Sequence, residues 1–391
     1  MSTSHTGPLA GLLVVDLTRV LAGPYAALML NELGARVIKV EPPRTGDDSR
    51  HIGPFVTAPS GKVKSGYFMS VNRAKESIAL DLKADGDRNI FEALLARADV
   101  LIENYRGGTM EKLGYGYEQL KETYPKLIYC GVSGFGHTGP YSKRPAYDMV
   151  VQAMGGVMSL TGHPDSPPTR VGTSTGDLSA GLFAVIGILT ALYDRKNTGL
   201  GQKVDIAMLD SQVALLENAI SRYVATGDVP GRLGSRHPSI APFAAFATKD
   251  GHIAIAAGND DLFARVARVA GREDLIADPR FTTNPKRVHN VDALAAELES
   301  ALSGKTSKDW LALLDEAGVP CGPLNTVADV MTDPQVLHRN MIIETEDADL
   351  GPIRMQGNPV KLSGHPDPKT RAHAPDLDEH RAAILKELGL E

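Results

Sequence analysis

Cysteine is nearly absent. The chain has two, Cys130 and Cys321, far apart and each in core-like sequence. Neither belongs to a CxxC or another metal-ligand spacing, which argues against a disulfide framework and against a cysteine-rich zinc site. The expectation is two buried thiols in a reducing cytosol. Excess positive charge is lacking too. The formal net charge is −6, so there is no bulk electrostatic case for nucleic acid or an anionic membrane as a partner. An anionic ligand would have to be met by a local basic patch. The histidines are scattered, none at HxxxH or beside acids in a ligand spacing, so no metal is expected. The opening MSTSHTGPLAG has no basic region followed by a long apolar run. That excludes a signal peptide of the usual form and leaves a cytoplasmic protein as the expectation. A matrix protein with its presequence removed would read the same. There is no internal repeat and no low-complexity tract.

Two catalytic signatures are missing as well. The turn after the first apolar run, Thr18 to Gly23, offers one glycine where a dinucleotide fingerprint needs three. This argues against a nicotinamide cofactor. No GxSxG elbow follows a strand, since GVSGFG has the wrong spacing, and serine hydrolase chemistry has no support.

What is present is an ordinary globular chain of 391 residues, 42% hydrophobic and 23% charged, long enough for two domains and a large core. LLVVDL (12–17) reads as a buried parallel strand, followed by a helix entered through Gly23-Pro24 and a second strand at VIKV (37–40). This is a βαβ unit of Rossmann-like look. EPPRTGDDSR (41–50) reads as a loop. Strands are expected at 77–82, 100–103, 126–130 and 202–206, with helices at 87–97, 149–158 and 209–225. Glycine-rich loops follow the segments 100–103 and 126–130, where α/β sheets place ligands. A linker-like stretch, 227–239, precedes a change of pattern: a hairpin around Lys249-Asp250-Gly251, then helices near 260–270, 291–303 and 307–317. Residues 226–325 are therefore read as a smaller α+β domain, and 1–225 with 326–391 as a large α/β domain. The last part should hold a helix, an antiparallel pair within 341–362 and a polar C-terminal helix.

One stretch organises the rest: TRVGTSTGDLSAGLFAVIGILTAL, 169–192. Its polar, glycine-punctuated half leads through Gly176-Asp177 into a run that is apolar nearly all round. That run reads as a buried helix, too short to span a bilayer. Asp177 then stands at the helix N-terminus. It could be a cap turned back on its own amides, or a carboxylate facing a cleft as an acyl-transfer nucleophile. The residue types leave both open. Arg73, Lys75, Lys83, Arg106 and Lys112 fall near strand ends. They could be separate surface charges or one phosphate-binding rim.

Five segments in order then carry a resemblance: DLTRVLAGPYAALMLNELGARVIKVEPP, NRAKESIALDLK, ENYRGGTMEKLG, GFGHTGPYSKRPAYD and PTRVGTSTGDLSAG. Across essentially its whole length the chain resembles the family III coenzyme A transferases, which include formyl-CoA transferase and the α-methylacyl-CoA racemases. The resemblance implies a Rossmann-like large domain made from both chain ends, a small inserted domain and an interlocked homodimer. It implies coenzyme A or an acyl-CoA as substrate, with no permanently bound cofactor. It identifies Asp177 with the family nucleophile, which passes from a mixed anhydride to an aspartyl-CoA thioester that an acceptor carboxylate discharges. It carries coenzyme A contacts onto Val20, Leu21, Ala22, Leu80, Lys83, Asn104, Tyr105, Arg106 and Lys112, and places Tyr147 and Asp148 near the thioester. A family arginine is replaced by Pro42, so that contact is lost or passes to Arg44. The racemases carry a histidine where this chain has Tyr147. A phenol, ionising near pH ~10, is a poor base at neutral pH, which favours the transferase and leaves the racemase as the alternative. Oxalate-using formyl-CoA transferases, a further alternative, have a glutamine at Leu21 and a GGGGQ loop, both absent. GSRHPSIAPF and AAGND look instead like the succinyl-CoA:glutarate branch. There Arg236 or His237 would bind the far carboxylate of a dicarboxylic acid.

Overall fold

In β1 (Leu13–Asp16) every residue after Leu13 is buried, with Val14 and Val15 on opposite faces of a sheet covered on both sides. In the computed structural model, which describes residues 6–391, the strands follow as β2 (Arg36–Glu41), β3 (Phe55–Thr57), β4 (Val63–Ser65), β5 (Glu76–Ala79), β6 (Val100–Glu103), β7 (Ile128–Ser133) and β8 (Lys203–Ala207). Six of them form one sheet in the order β5-β2-β1-β6-β7-β8, every pair parallel. The direction of winding reverses between β1 and β6. This is the doubly wound arrangement, whose ligand crevice opens beyond the carboxyl ends of the strands at that reversal. β3 and β4 make a small exposed hairpin, in a stretch where no strands were expected. Residues 1–5, on which the reading of the N-terminus partly rests, lie outside the described residues.

One face of the sheet is covered by the Ala22–Glu32 helix and by a 24-residue helix, Thr175–Thr198. Small side chains let these two helices come close: a Cβ on Gly181 would lie 2.8 Å from the carbonyl oxygen of Ala22. The long helix corrects one expectation. By length and apolar composition it could cross a bilayer, yet Ala180, Ala184, Ile188 and Ala191 are buried against the rest of this unit. Its far side stays open, with Ile186 57% and Tyr193 71% exposed. The helix expected over 209–225 is two, Met208–Ala214 and Glu217–Thr226.

The chain forms two compact units. The first comprises the chain through Val157, Arg170–Ala225 and Pro334–Glu391; the second comprises Met158–Thr169 and Thr226–Asp333. The sequence reading had placed 158–169 and 326–333 in the larger domain. Segment 158–169 joins the second unit through backbone pairing of Gly234 with Gly162 and through Arg232, which donates to the carbonyl of His163. That unit is built on β9 (Phe243–Ala247), β10 (His252–Ala256) and β11 (Cys321–Pro323), all antiparallel. Three main helices, Asp260–Val269, Val291–Leu302 and Ser307–Glu316, pack on it. Cys130 is buried, but Cys321 is only half-buried, at the sheet edge.

In the first unit β12 (Ile342–Asp347) pairs with β13 (Gly351–Gln356) and β14 (Thr370–Ala372). The C-terminal segment then closes the open edge at β5. His380 donates to the carbonyl of Ser77, and Asp378 accepts the amide of Ala79 at 2.7 Å. An edge capped in this way offers no template for another strand.

Candidate active site

The loops that leave β1, β6 and β7 meet at the reversal of the sheet. They line a cavity of about 270 Å³. Of the residues singled out in the sequence, Val20, Leu21, Ala22, Asn104, Tyr105, Arg106, Tyr147 and Asp177 all face it. A second cavity of about 280 Å³ shares Arg19 and Tyr105 with the first and is lined by Leu80, Lys83 and Pro42. Lys112 borders neither; it is exposed in the last turn of the Thr109–Leu113 helix. Arg44 is exposed, with φ +70°. Arg236 and His237 belong to the second unit. There Arg236 pairs with the exposed Asp292 at 2.5 Å, and His237 packs on Phe243.

Asp177 is the third residue of its helix, and its side chain is no cap. The helix begins after Ser174 with no side-chain cap, and the amide of Gly176 is taken by Asp148 Oδ1 at 2.8 Å. The Asp177 carboxyl is instead pushed up to about 7. Burial is the main cause and the neighbouring carboxylate of Asp148 adds to it, while the amide of Ala22 and the guanidinium of Arg170 pull the other way. A carboxylate stripped of water in this way is a stronger nucleophile than a solvated one. Asp148 itself is buried behind it, accepting from Gln152 Nε2 and from Arg170 Nε at 2.9 Å. Tyr67 faces the same acids; burial and the charges of Asp177, Asp47 and Asp148 push its phenol up to about 12.

The Arg19–Ala22 loop that brings the Ala22 amide to Asp177 is gripped from beneath. Asn104 accepts from the Arg19 amide at 2.8 Å and donates to the Arg19 carbonyl at 2.7 Å. Lys39 Nζ donates to the Thr18 carbonyl at 2.6 Å and pairs with Asp47 at 2.8 Å. Asp47 accepts the Val20 amide at 3.0 Å. Lys75 Nζ joins Asp16 at 2.9 Å to the Pro24 carbonyl at 3.0 Å, in the first turn of the helix that follows. Burial pushes the Lys75 ammonium down to about 8, with Asp16 opposing and Lys39 reinforcing that shift.

The proposed phosphate rim is thereby corrected. Lys75 is wholly buried in this network, and Arg73 is buried against Glu32 at 2.9 Å. Neither can reach a ligand, because burying an ion without a partner is prohibitively costly and each is committed to its own carboxylate. Lys83 and Arg106 stay at the cavities. The sequence reading missed Arg19, Phe135 and Arg144, which also line the main cavity. Arg144 lies over the rings of Phe135 and Tyr141, 5.4 and 4.6 Å from their centroids. Its place in the basic, glycine-rich GFGHTGPYSKR loop was the available signal.

A family model, CoA-transferase family III, matches residues 9–381. The acetyl-CoA:oxalate CoA-transferase of Acetobacter aceti is 50% identical over 97% of this chain and 96% of its own. The human succinyl-CoA:glutarate CoA-transferase is 40% identical over 97% of this chain and 86% of its own. Among solved structures, a CAIB/BAIF family protein from Brucella suis superposes with a TM-score of 0.87 at 43% identity, covering 98% of this chain and 99% of that one.

Proposed function

The chain belongs to CoA-transferase family III, and on that premise we propose that Asp177 is its nucleophile, moving coenzyme A from an acyl-CoA to a dicarboxylic acid. The observation that carries this reading is the setting of Asp177: a carboxyl in the strand-end cavity, raised by burial to about 7, with the Ala22 amide on it. The carboxylate attacks the thioester carbonyl. The tetrahedral oxyanion collapses to a mixed anhydride and expels the CoA thiolate. The thiolate then attacks the aspartyl carbonyl of the anhydride, which releases the donor as its carboxylate and leaves an aspartyl-CoA thioester. The acceptor carboxylate attacks that thioester and expels the CoA thiolate, giving a second mixed anhydride; the thiolate then attacks its acceptor carbonyl, which forms the acceptor thioester and releases the Asp177 carboxylate. Backbone amides at the start of the Ala22–Glu32 helix are suited to the oxyanions.

In this reading the coenzyme A body lies along Val20, Leu21, Ala22, Leu80, Lys83, Asn104, Tyr105 and Arg106, with Tyr147 and Asp148 by the thioester and Lys112 near the phosphates. No cofactor is bound permanently. Arg236 or His237 serves the distal carboxylate of the acceptor, which would displace Asp292 from Arg236. Succinyl-CoA as donor and a C4–C6 diacid as acceptor follow the glutarate branch. A second reading, oxalate as acceptor, is favoured by the 50% identity to a transferase named for oxalate. The enzyme is further proposed to be a cytoplasmic homodimer, free of the membrane. Support for self-association is the open apolar side of the Thr175–Thr198 helix, together with exposed Tyr223 and Val224 of the Glu217–Thr226 helix.

The test is intact-protein mass after incubation with succinyl-CoA or acetyl-CoA. A CoA-sized adduct absent from Asp177→Ala is expected, discharged by glutarate, succinate or oxalate. If no donor gives an adduct, and a 2-methylacyl-CoA instead exchanges its α-proton with deuterated solvent, the racemase alternative replaces this one.

A further inference from the structure

Six non-glycine residues among those described have positive φ, and Val20, at +69°, is the β-branched one. A β-branched side chain is poorly tolerated there, because Cβ crowds the backbone and χ1 is restricted. Glycine would hold the same conformation freely. Val20 sits two residues before the Ala22 amide, in the segment that lines the cavity. Something must therefore hold the backbone of Val20 against its own preference.

The holder on the page is Asp47. Its Oδ1 accepts the Val20 amide at 3.0 Å and the Ser49 amide at 2.8 Å. Its other oxygen meets Lys39 Nζ at 2.8 Å. Asp47 is fully buried and does not border the cavity. The sequence around it, EPPRTGDDSR, reads as a mere loop. We infer that Asp47 is a positioning residue for the transfer reaction: by holding Val20 in the left-handed conformation it fixes where the Ala22 amide meets the nucleophile. Lys39 keeps the Asp47 carboxylate ionised and aimed, as its partner in a buried pair. The inference rests on the Asp177 reading and adds to it a residue that never touches substrate.

A merely structural Asp47 would support the fold without regard to the side chain at position 20. A positioning Asp47 must couple to it. The experiment is a double-mutant cycle between Asp47→Ala and Val20→Gly on the full-length enzyme, reading kcat/KM for the acyl-CoA and the rate of CoA-adduct formation by mass. In the native background Asp47→Ala should lose ~30- to 100-fold, the scale on which small displacements of a catalytic group act. In the Val20→Gly background the same change should lose at least ~10-fold less, because glycine keeps the left-handed turn without being held. Asp47→Asn retains an oxygen for the Val20 amide and should fall between native and Asp47→Ala in rate. If Asp47→Ala does not fold, the cycle is run with Asp47→Asn and read the same way. Losses that simply multiply, or a folded Asp47→Ala enzyme with the native rate, overturn the inference. Asp177→Ala is measured alongside: an inactive, adduct-free variant with an uncoupled cycle sinks only the role of Asp47. An active Asp177→Ala sinks the nucleophile itself.

Discussion

Replacing Asp148 by asparagine should move the acid limb of the reaction downward in pH. If Asp177 is the nucleophile, as proposed, it works as its carboxylate, and its carboxyl sits at about 7, raised by burial and then by the Asp148 charge. Below that value kcat/KM should fall as Asp177 takes up a proton. Asp148→Asn keeps an oxygen for the Gly176 amide, which Asp148 now holds at 2.8 Å, but removes the negative charge. At an effective dielectric of ~20–40 a neighbouring unit charge is worth ~1–2 kcal/mol, which corresponds to ~1–1.5 pKa units. Arg170, now paired with Asp148 at 2.8 Å, would be left facing Asp177 alone and shift it the same way. The expected limb lies near ~5.5–6, so the ratio of kcat/KM at pH 6 to that at pH 8 rises by ~5-fold or more. The plateau should drop, since a less basic carboxylate is a weaker nucleophile. The assay is kcat/KM for the acyl-CoA from pH 5 to 9 at constant ionic strength. A limb that stays at 7 or climbs would refute the claim that Asp148 acts on Asp177 through its charge.

Two further outcomes follow from the same geometry. An acid whose folded-state value is raised holds a proton in the folded protein that the unfolded chain loses from pH ~4 upward, so it erodes stability as pH rises through that window. Asp177→Asn removes this erosion. Its Tm should match the native value near pH 4 and exceed it above pH 7, by up to ~4 kcal/mol in stability; a Tm difference independent of pH speaks against the raised carboxyl. Gly23→Ala would put a Cβ 2.3 Å from Thr18 Cγ2, and Thr18 is tied to Asp16 and Lys39. Overpacking of this kind costs ~1–3 kcal/mol, so Tm and kcat/KM should both fall. Native values for both would mean that Thr18 can turn aside.

Much of this was written locally in the sequence. The short apolar, β-branched runs of 12–17 and 37–40 gave strands at the observed places, and Lys249-Asp250-Gly251 gave the hairpin of β9 and β10. The position of Asp177 at a helix start was legible too, but not its orientation, because that depends on Asp148 taking the Gly176 amide across 28 residues. The charged residues were the hardest. Lys75 and Arg73 look like surface cations beside strand ends, yet they are buried by partners 59 and 41 residues away. No local pattern separates a solvated lysine from one paired at long range. The break near Leu215 in the expected 209–225 helix carries no proline or glycine to announce it. Asp47 was hidden for the opposite reason: its loop has every mark of an ordinary turn, and only the conformation of Val20 gives it a purpose.

The closing of the β5 edge has a consequence for how the protein comes to exist. The partners that cap Ser77 and Ala79 lie about 300 residues further along the chain. A ribosome adding ~5–20 residues per second needs ~15–60 s to cover that distance. During this interval the nascent sheet carries a bare strand beside the loops that line the cavities, and the inserted unit can fold in the meantime. Closure of the edge waits for Asp378, His380 and the Arg381–Leu388 helix beside them to clear the exit tunnel. Newly made molecules are therefore open to mispairing at this edge until Asp378 has emerged.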